Sequence, residues 1–112
     1  MHELSIASSL YDQVKRHTPP GAVVQRVQVL IGPMQAIEPD SLRFTWEAIC
    51  LDEGAAVPEL VLDQPGWKLT CPECDRCWQS QEMYVACDCG CATPRVEGGA
   101  ELQLLSIDVE NP

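Results

Sequence analysis

Apolar residues recur at helical spacing near the start of the chain, where Leu4, Ile6, Ala7, Leu10, Tyr11 and Val14 fall on one face of residues 3–16. Glu3 stands at the N-terminal end of this pattern, and Lys15, Arg16 and His17 at its C-terminal end, which complements the helix dipole. The run Thr18-Pro19-Pro20-Gly21 then stops the helix, because neither proline continues it comfortably. From Val23 to Ile31 the period changes to two: Val23, Gln25, Val27, Val29 and Ile31 face one side, and Val24, Arg26, Gln28 and Leu30 the other. β-Branched residues in alternation predict a strand with one face on the core. After Gly32 and Pro33, residues 38–50 read as a second helix, with Pro39 in the first turn, Asp40 and Ser41 near the cap, and Leu42, Trp46 and Ile49 on a shared face.

Residues 58–64 predict a short second strand, and residues 100–110 a last one. In that last strand Leu105, Ile107 and Val109 alternate, but Leu102 and Leu104 point the other way. A bulge near Leu104 or a change of partner there would explain the switch. The expected fold is therefore α+β: a three-stranded mixed sheet with two helices, plus an inserted zinc-ribbon-like loop subdomain. The expected division is an α+β domain on residues 1–66 and 98–112, and a metal-binding subdomain on 67–97. No internal repeat or low-complexity tract interrupts this plan.

Composition narrows the chemistry. The chain has 112 residues, room for one compact unit or a small domain carrying a subdomain. Its net charge of −10 disfavours nucleic acid and anionic lipid as partners, and suits metal cations or a basic protein surface. No apolar run approaches the roughly 18 residues of a membrane span, and the start lacks a charged-then-apolar signal pattern. The expectation is a soluble, cytoplasmic protein. With His2 and His17 the only histidines, no Ser/His/Asp or Cys/His set with a plausible base is evident, so an enzyme is not expected.

Seven cysteines are many for this length, and six of them fall between residues 71 and 91. In a reducing compartment such clustering points to metal. Cys71-x2-Cys74 has the spacing of a knuckle whose two sulfurs reach one tetrahedral ion, and the twelve residues before Cys87 leave room for a hairpin. The second pair is drawn from Cys87, Cys89 and Cys91, so Cys77 and one thiol of that group are spare. Zinc suits four thiolates without redox duty, and its binding energy would fold a segment too polar to make its own core. Spare thiols beside a metal also admit a redox switch that loses zinc on oxidation. Cys50 reads as a small buried thiol.

With MHELSIASSL at the start, IGPMQAIEPDSLRFTWE in the middle, the cysteine loop, and GGAELQLLSIDVE at the end, the whole chain resembles the HypA/HybF family. The resemblance implies a nickel metallochaperone for [NiFe] hydrogenase maturation, and in some bacteria for urease. It implies a partner GTPase of the HypB type, a hydrogenase large-subunit precursor as client, and leaves a homodimer open. It also implies a Ni(II) site at Met1-His2-Glu3, separate from a structural Zn(II) site. In that likeness Cys71, Cys74 and Cys87 are the first three zinc ligands. The family's second knuckle normally reads Cys-x2-Cys-Gly; here Cys89-Gly90 matches its end with one residue missing, so Cys89 is the fourth ligand and Cys91 the alternative by easier reach. At the terminus, the Met1 amine, the His2 amide and the His2 imidazole would form two fused chelate rings, with Glu3 supplying the fourth position; Ni(II) accepts such square-planar nitrogen coordination. The rival reading is a zinc-ribbon interaction module or thiol switch with no nickel role.

Overall fold

The computed structural model describes residues 2–110. Its element order is α1 (His2–His17), β1 (Val23–Ile31), a 3-10 turn (Pro33–Gln35), α2 (Pro39–Asp52), β2 (Glu59–Asp63), β3 (Trp67–Thr70), β4 (Cys77–Ser80), β5 (Arg95–Glu97) and β6 (Leu102–Glu110). These form two compact units. One takes in the described residues up to Leu30, Ile37–Asp63, and those from Gln103 onward; the other consists of Ile31–Ala36 and Gln64–Leu102.

In the first unit, α1 buries Ile6, Ala7, Leu10 and Val14, the inner face of the predicted helical stripe. His17 Nδ1 donates to the Gln13 carbonyl at 2.7 Å, and Thr18 Oγ1 to that of Val14 at 2.6 Å, which satisfies carbonyls at the helix end. Glu38 is the N-cap of α2, accepting the Ser41 amide at 2.7 Å, so the cap falls two residues before Asp40. The buried face of α2 is Leu42, Trp46 and Cys50, an i, i+4, i+8 set; Ile49 is only half-buried. Trp46 meets Tyr11 of α1 edge-on, with ring centroids 6.1 Å apart.

α2 is the crossover between β1 and β2, which pair in parallel with Val27 opposite Leu60 and Val29 opposite Leu62. The strand order β2-β1-β6 makes β1 central. Ser106 Oγ donates to Gln28 Oε1 at 2.9 Å and Gln25 Nε2 to Glu110 at 3.0 Å; the two pairings run in opposite chain directions, so β6 lies antiparallel and the sheet is mixed. Val27 and Val29 point into the core, while Arg26 on the outer face pairs with Glu59 at 3.0 Å and Asp108 at 3.8 Å on its two neighbours. In β6, Leu105 is 48% exposed while Leu104 and Ile107 are half-buried, so the covered side switches between Ser106 and Ile107 within one continuous strand.

The second unit has its own three-stranded sheet, order β4-β3-β5, both pairings antiparallel. None of its strands exceeds four residues, too short for an alternating pattern to be read from sequence. Residues 31–36 join it through Gly32 and Met34 amides that donate to Glu101 and Gly99 carbonyls, each at 2.7 Å. Its buried side chains are Ile31, Leu69, Cys71, Cys87 and Cys91. An interior made mostly of sulfur carries little hydrophobic driving force.

Candidate metal centre

The β3–β4 hairpin turn is the first knuckle. Thr70 pairs with Cys77, and between them the Cys71 amide donates to the Arg76 carbonyl while the Asp75 amide donates to that of Cys71, both at 2.9 Å. Asp75 takes the left-handed φ of 62° needed to close this turn, a conformation aspartate tolerates better than most residues. The second knuckle mirrors the first. The Cys87 amide donates to the Cys91 carbonyl at 2.9 Å, the Gly90 amide to that of Cys87 at 3.0 Å, and Gly90 carries φ 102°.

The two turns bring the Sγ atoms of Cys71, Cys74, Cys87 and Cys89 within 4.8 Å of one another, the one such group of metal-ligating side chains among the described residues. Cys71 and Cys89 are 3.5 Å apart, and Cys74 and Cys87 3.6 Å. Four sulfurs at the corners of a tetrahedron around zinc, each about 2.3 Å from it, stand about 3.8 Å apart. The donor set and its spacing therefore fit a zinc ion closely. Cys71 and Cys87 are buried, while Cys74 and Cys89 are exposed.

The thiols influence one another. Burial opposes ionisation of Cys71, but the amides of Cys74 and Glu73 and the thiol of Cys89 outweigh it and bring it down to about 6. The Cys89 amide lowers Cys87 against its burial, with help from the Cys74 and Cys89 thiols and from Arg76. The other two move upward. Cys74 accepts the Arg76 amide, which favours its thiolate, yet Cys87 and burial raise it on balance. The Cys91 amide favours the Cys89 thiolate, yet Cys71 and Cys87 push it up to about 12. In each close pair one thiol is thus lowered and its neighbour raised, because like charges this close oppose one another without a cation among them. A divalent ion removes that conflict.

Arg76 was not singled out by sequence reasoning, although a lone basic residue inside CPECDRC in so acidic a chain was a signal. Its guanidinium helps lower the Cys87 thiol, lies 3.4 Å from Asp88, and sits 4.6 Å over the Trp78 ring. Arg76 follows one knuckle and Asp88 lies within the other, so this contact ties the two turns together. Trp78 packs against the buried sulfurs.

The remaining predicted residues fall elsewhere. Cys77 is exposed, its Sγ 3.6 Å from Thr70 Oγ1. Cys91 is buried but outside the four-sulfur set. Cys50 is buried in α2, and burial raises its thiol, as befits an inert core group. His2 is exposed at the first residue of α1, and Glu3 lines an open groove with Asp40, Ser41, Phe44 and Thr45. Asp40 thereby joins Glu3 as an acidic group at this end of the unit, a neighbour that no sequence spacing signalled. Met1 lies outside the described residues.

Comparison with known proteins is consistent across the chain. A family model described as hydrogenase/urease nickel incorporation, metallochaperone, hypA matches residues 1–109. A hydrogenase maturation factor HypA from Chlorobaculum parvum is 31% identical over 98% of this chain and 100% of its own length. One of the same description from Streptomyces avermitilis is 29% identical over 99% and 88% respectively. The solution structure of the Ni metallochaperone HypA from Helicobacter pylori superposes with a TM-score of 0.61 at 24% identity, covering 100% of both chains, which establishes likeness of fold.

Proposed function

The chain belongs to the HypA family of nickel-incorporation metallochaperones, maturation factors rather than enzymes, and from that premise we propose that it carries Ni(II) at its N-terminus and hands it on for [NiFe] hydrogenase maturation. The observation that carries this reading is the family match over residues 1–109, which includes both the terminal His2 and the four-thiol centre. Nickel is cargo, bound by the Met1 amine with the His2 amide and imidazole, and with Glu3 completing the set. Few ligands at a chain terminus suit a carrier, which must release its metal as well as hold it. Asp40, in the groove with Glu3, is placed to assist.

Zinc is resident and structural on Cys71, Cys74, Cys87 and Cys89, where it supplies the folding energy that the small interior of the second unit lacks. Residues 67–97 carry the zinc function, and residues 1–66 with 98–112 the nickel function. A HypB-type GTPase and a hydrogenase large-subunit precursor are the partners, with urease a second client, in the cytoplasm. Among the described residues no helix is long and apolar enough to cross a membrane.

The test is a Ni(II) titration of zinc-loaded, untagged protein beside a form carrying a few residues before Met1, which turns the amine into an amide. Nickel binding should weaken strongly in the extended form and in His2→Ala, with zinc content unchanged. His17→Ala should change little, since His17 bonds the end of α1. Equal affinity in the native and extended forms would remove the terminus from the site and leave a zinc-binding interaction module.

A further inference from the structure

Three thiols lie outside the four-sulfur set, and Cys91 differs from the other two. Cys50 belongs to the first unit, and Cys77 is exposed beside Thr70. Cys91 is 8% exposed and shares one buried cluster with Cys71 and Cys87. Its backbone already belongs to the second knuckle, accepting the Cys87 amide through its carbonyl. Its thiol lies 3.9 Å from Thr93 Oγ1, a weak contact to give up.

We propose that Cys91 is a reserve zinc ligand, giving the centre a second coordination set of Cys71, Cys74, Cys87 and Cys91 when Cys89 is withdrawn. This rests on the zinc reading above. Three residues separate Cys87 from Cys91, within the two to four usual for a zinc knuckle, whereas Cys87-x-Cys89 is tighter. The swap re-aims the chain about Gly90, whose φ is already +102° and whose surroundings are open. Cys89 is exposed, so it is the second-knuckle sulfur that an electrophile or a competing metal site meets first. A thiol tethered four residues from a retained ligand acts at an effective concentration on the order of millimolar, enough to refill the fourth position before zinc escapes.

The experiment measures zinc content and affinity, by competition with a chromophoric chelator, in wild type, Cys91→Ala, Cys89→Ala and the double variant. Iodoacetamide labelling of Cys91, read by mass spectrometry, is followed with and without zinc. Cys91→Ala should match wild type. Cys89→Ala should keep about one zinc with affinity down roughly ten- to a hundredfold, the size expected when one strained turn must be re-aimed. The double variant should lose at least a further hundredfold or so, and zinc should protect Cys91 from labelling in Cys89→Ala. The inference is overturned if Cys89→Ala binds zinc as weakly as the double variant, or if Cys91 in that variant labels equally fast with and without zinc. Loss of zinc in Cys91→Ala alone also overturns it, since Cys91 would then be a primary ligand. The labelling comparison needs only the single variant, so failure of the double variant to fold does not shelter the idea. A wild-type chain that binds no zinc overturns the four-thiol reading and this one together.

Discussion

Replacing Arg76 by glutamine removes the basic group that touches the four-sulfur centre. A zinc ion among four thiolates would carry two net negative charges, which the Arg76 guanidinium, acting on Cys87, would partly offset. Its three contacts differ in weight. The Asp88 pair at 3.4 Å is solvated, with the aspartate side chain 89% exposed, so it changes affinity by a factor of about five at most. The Trp78 ring 4.6 Å below the guanidinium mainly holds it in place. The influence of the guanidinium on Cys87 carries the rest, and loss of such outer partners typically weakens metal binding about ten- to a hundredfold. Arg76→Gln should therefore fall by that factor and Asp88→Asn by less than about five. Chelator competition at low and high salt separates the contributions, because screening acts on the exposed ion pair and hardly on the influence on Cys87. Wild-type affinity in Arg76→Gln, or an equal loss in Asp88→Asn, would show that the guanidinium contact with Cys87 contributes nothing to metal retention.

Other outcomes follow from single contacts. Trp46→Ala removes a side chain 1% exposed between the helices and should cost about 3–5 kcal/mol, measured as a lower urea midpoint with zinc retained. Cys74→Ala should lose zinc while Cys50→Ala keeps it, since only Cys74 belongs to the sulfur set; full zinc content in Cys74→Ala would remove the assignment. The Glu38 carboxylate is held below its usual range by the Ser41 and Asp40 amides, so its cap stabilises α2 above the unfolded value of about 4.3 and is lost as pH falls through the lower folded value. Glu38→Gln should accordingly be less stable than wild type near neutrality, and the two denaturation curves should converge in stronger acid. Nickel affinity should weaken below neutral pH, before thiolate zinc is lost, because the ligating nitrogens must shed protons; a flat profile by calorimetry would favour carboxylate ligands instead.

Much of the first unit was legible because its patterns are long. Fourteen to sixteen residues of helical period leave little choice for α1, and nine alternating residues define β1. The details that escaped depend on partners far along the chain. Ile49 was expected on the inner face of α2 but is only half-buried, while Cys50, expected as a small buried thiol, is the last inward residue. In β6, apolar residues on both parities are ambiguous until its neighbour is known. β3, β4 and β5 were missed because strands of three or four residues carry no period, and they are held by hydrogen bonds and by the cysteine turns rather than by a hydrophobic face.

The sequence by itself determined that this is an α+β chain with a cysteine cluster able to hold a metal, because hydrophobic period and knuckle spacing are local properties of the chain. It also determined the family, through short motifs spread from one end to the other. It left the second sulfur pair open among Cys87, Cys89 and Cys91, since all three spacings are chemically possible. Only the tertiary structure brought Cys89 to the other three sulfurs, turned Cys91 into the buried interior, and set Arg76 against Cys87. Those outcomes depend on how a turn at Gly90 and a hairpin between β3 and β4 meet in space. Convergence of two loops is decided by the fold around them, not by the residues within either one.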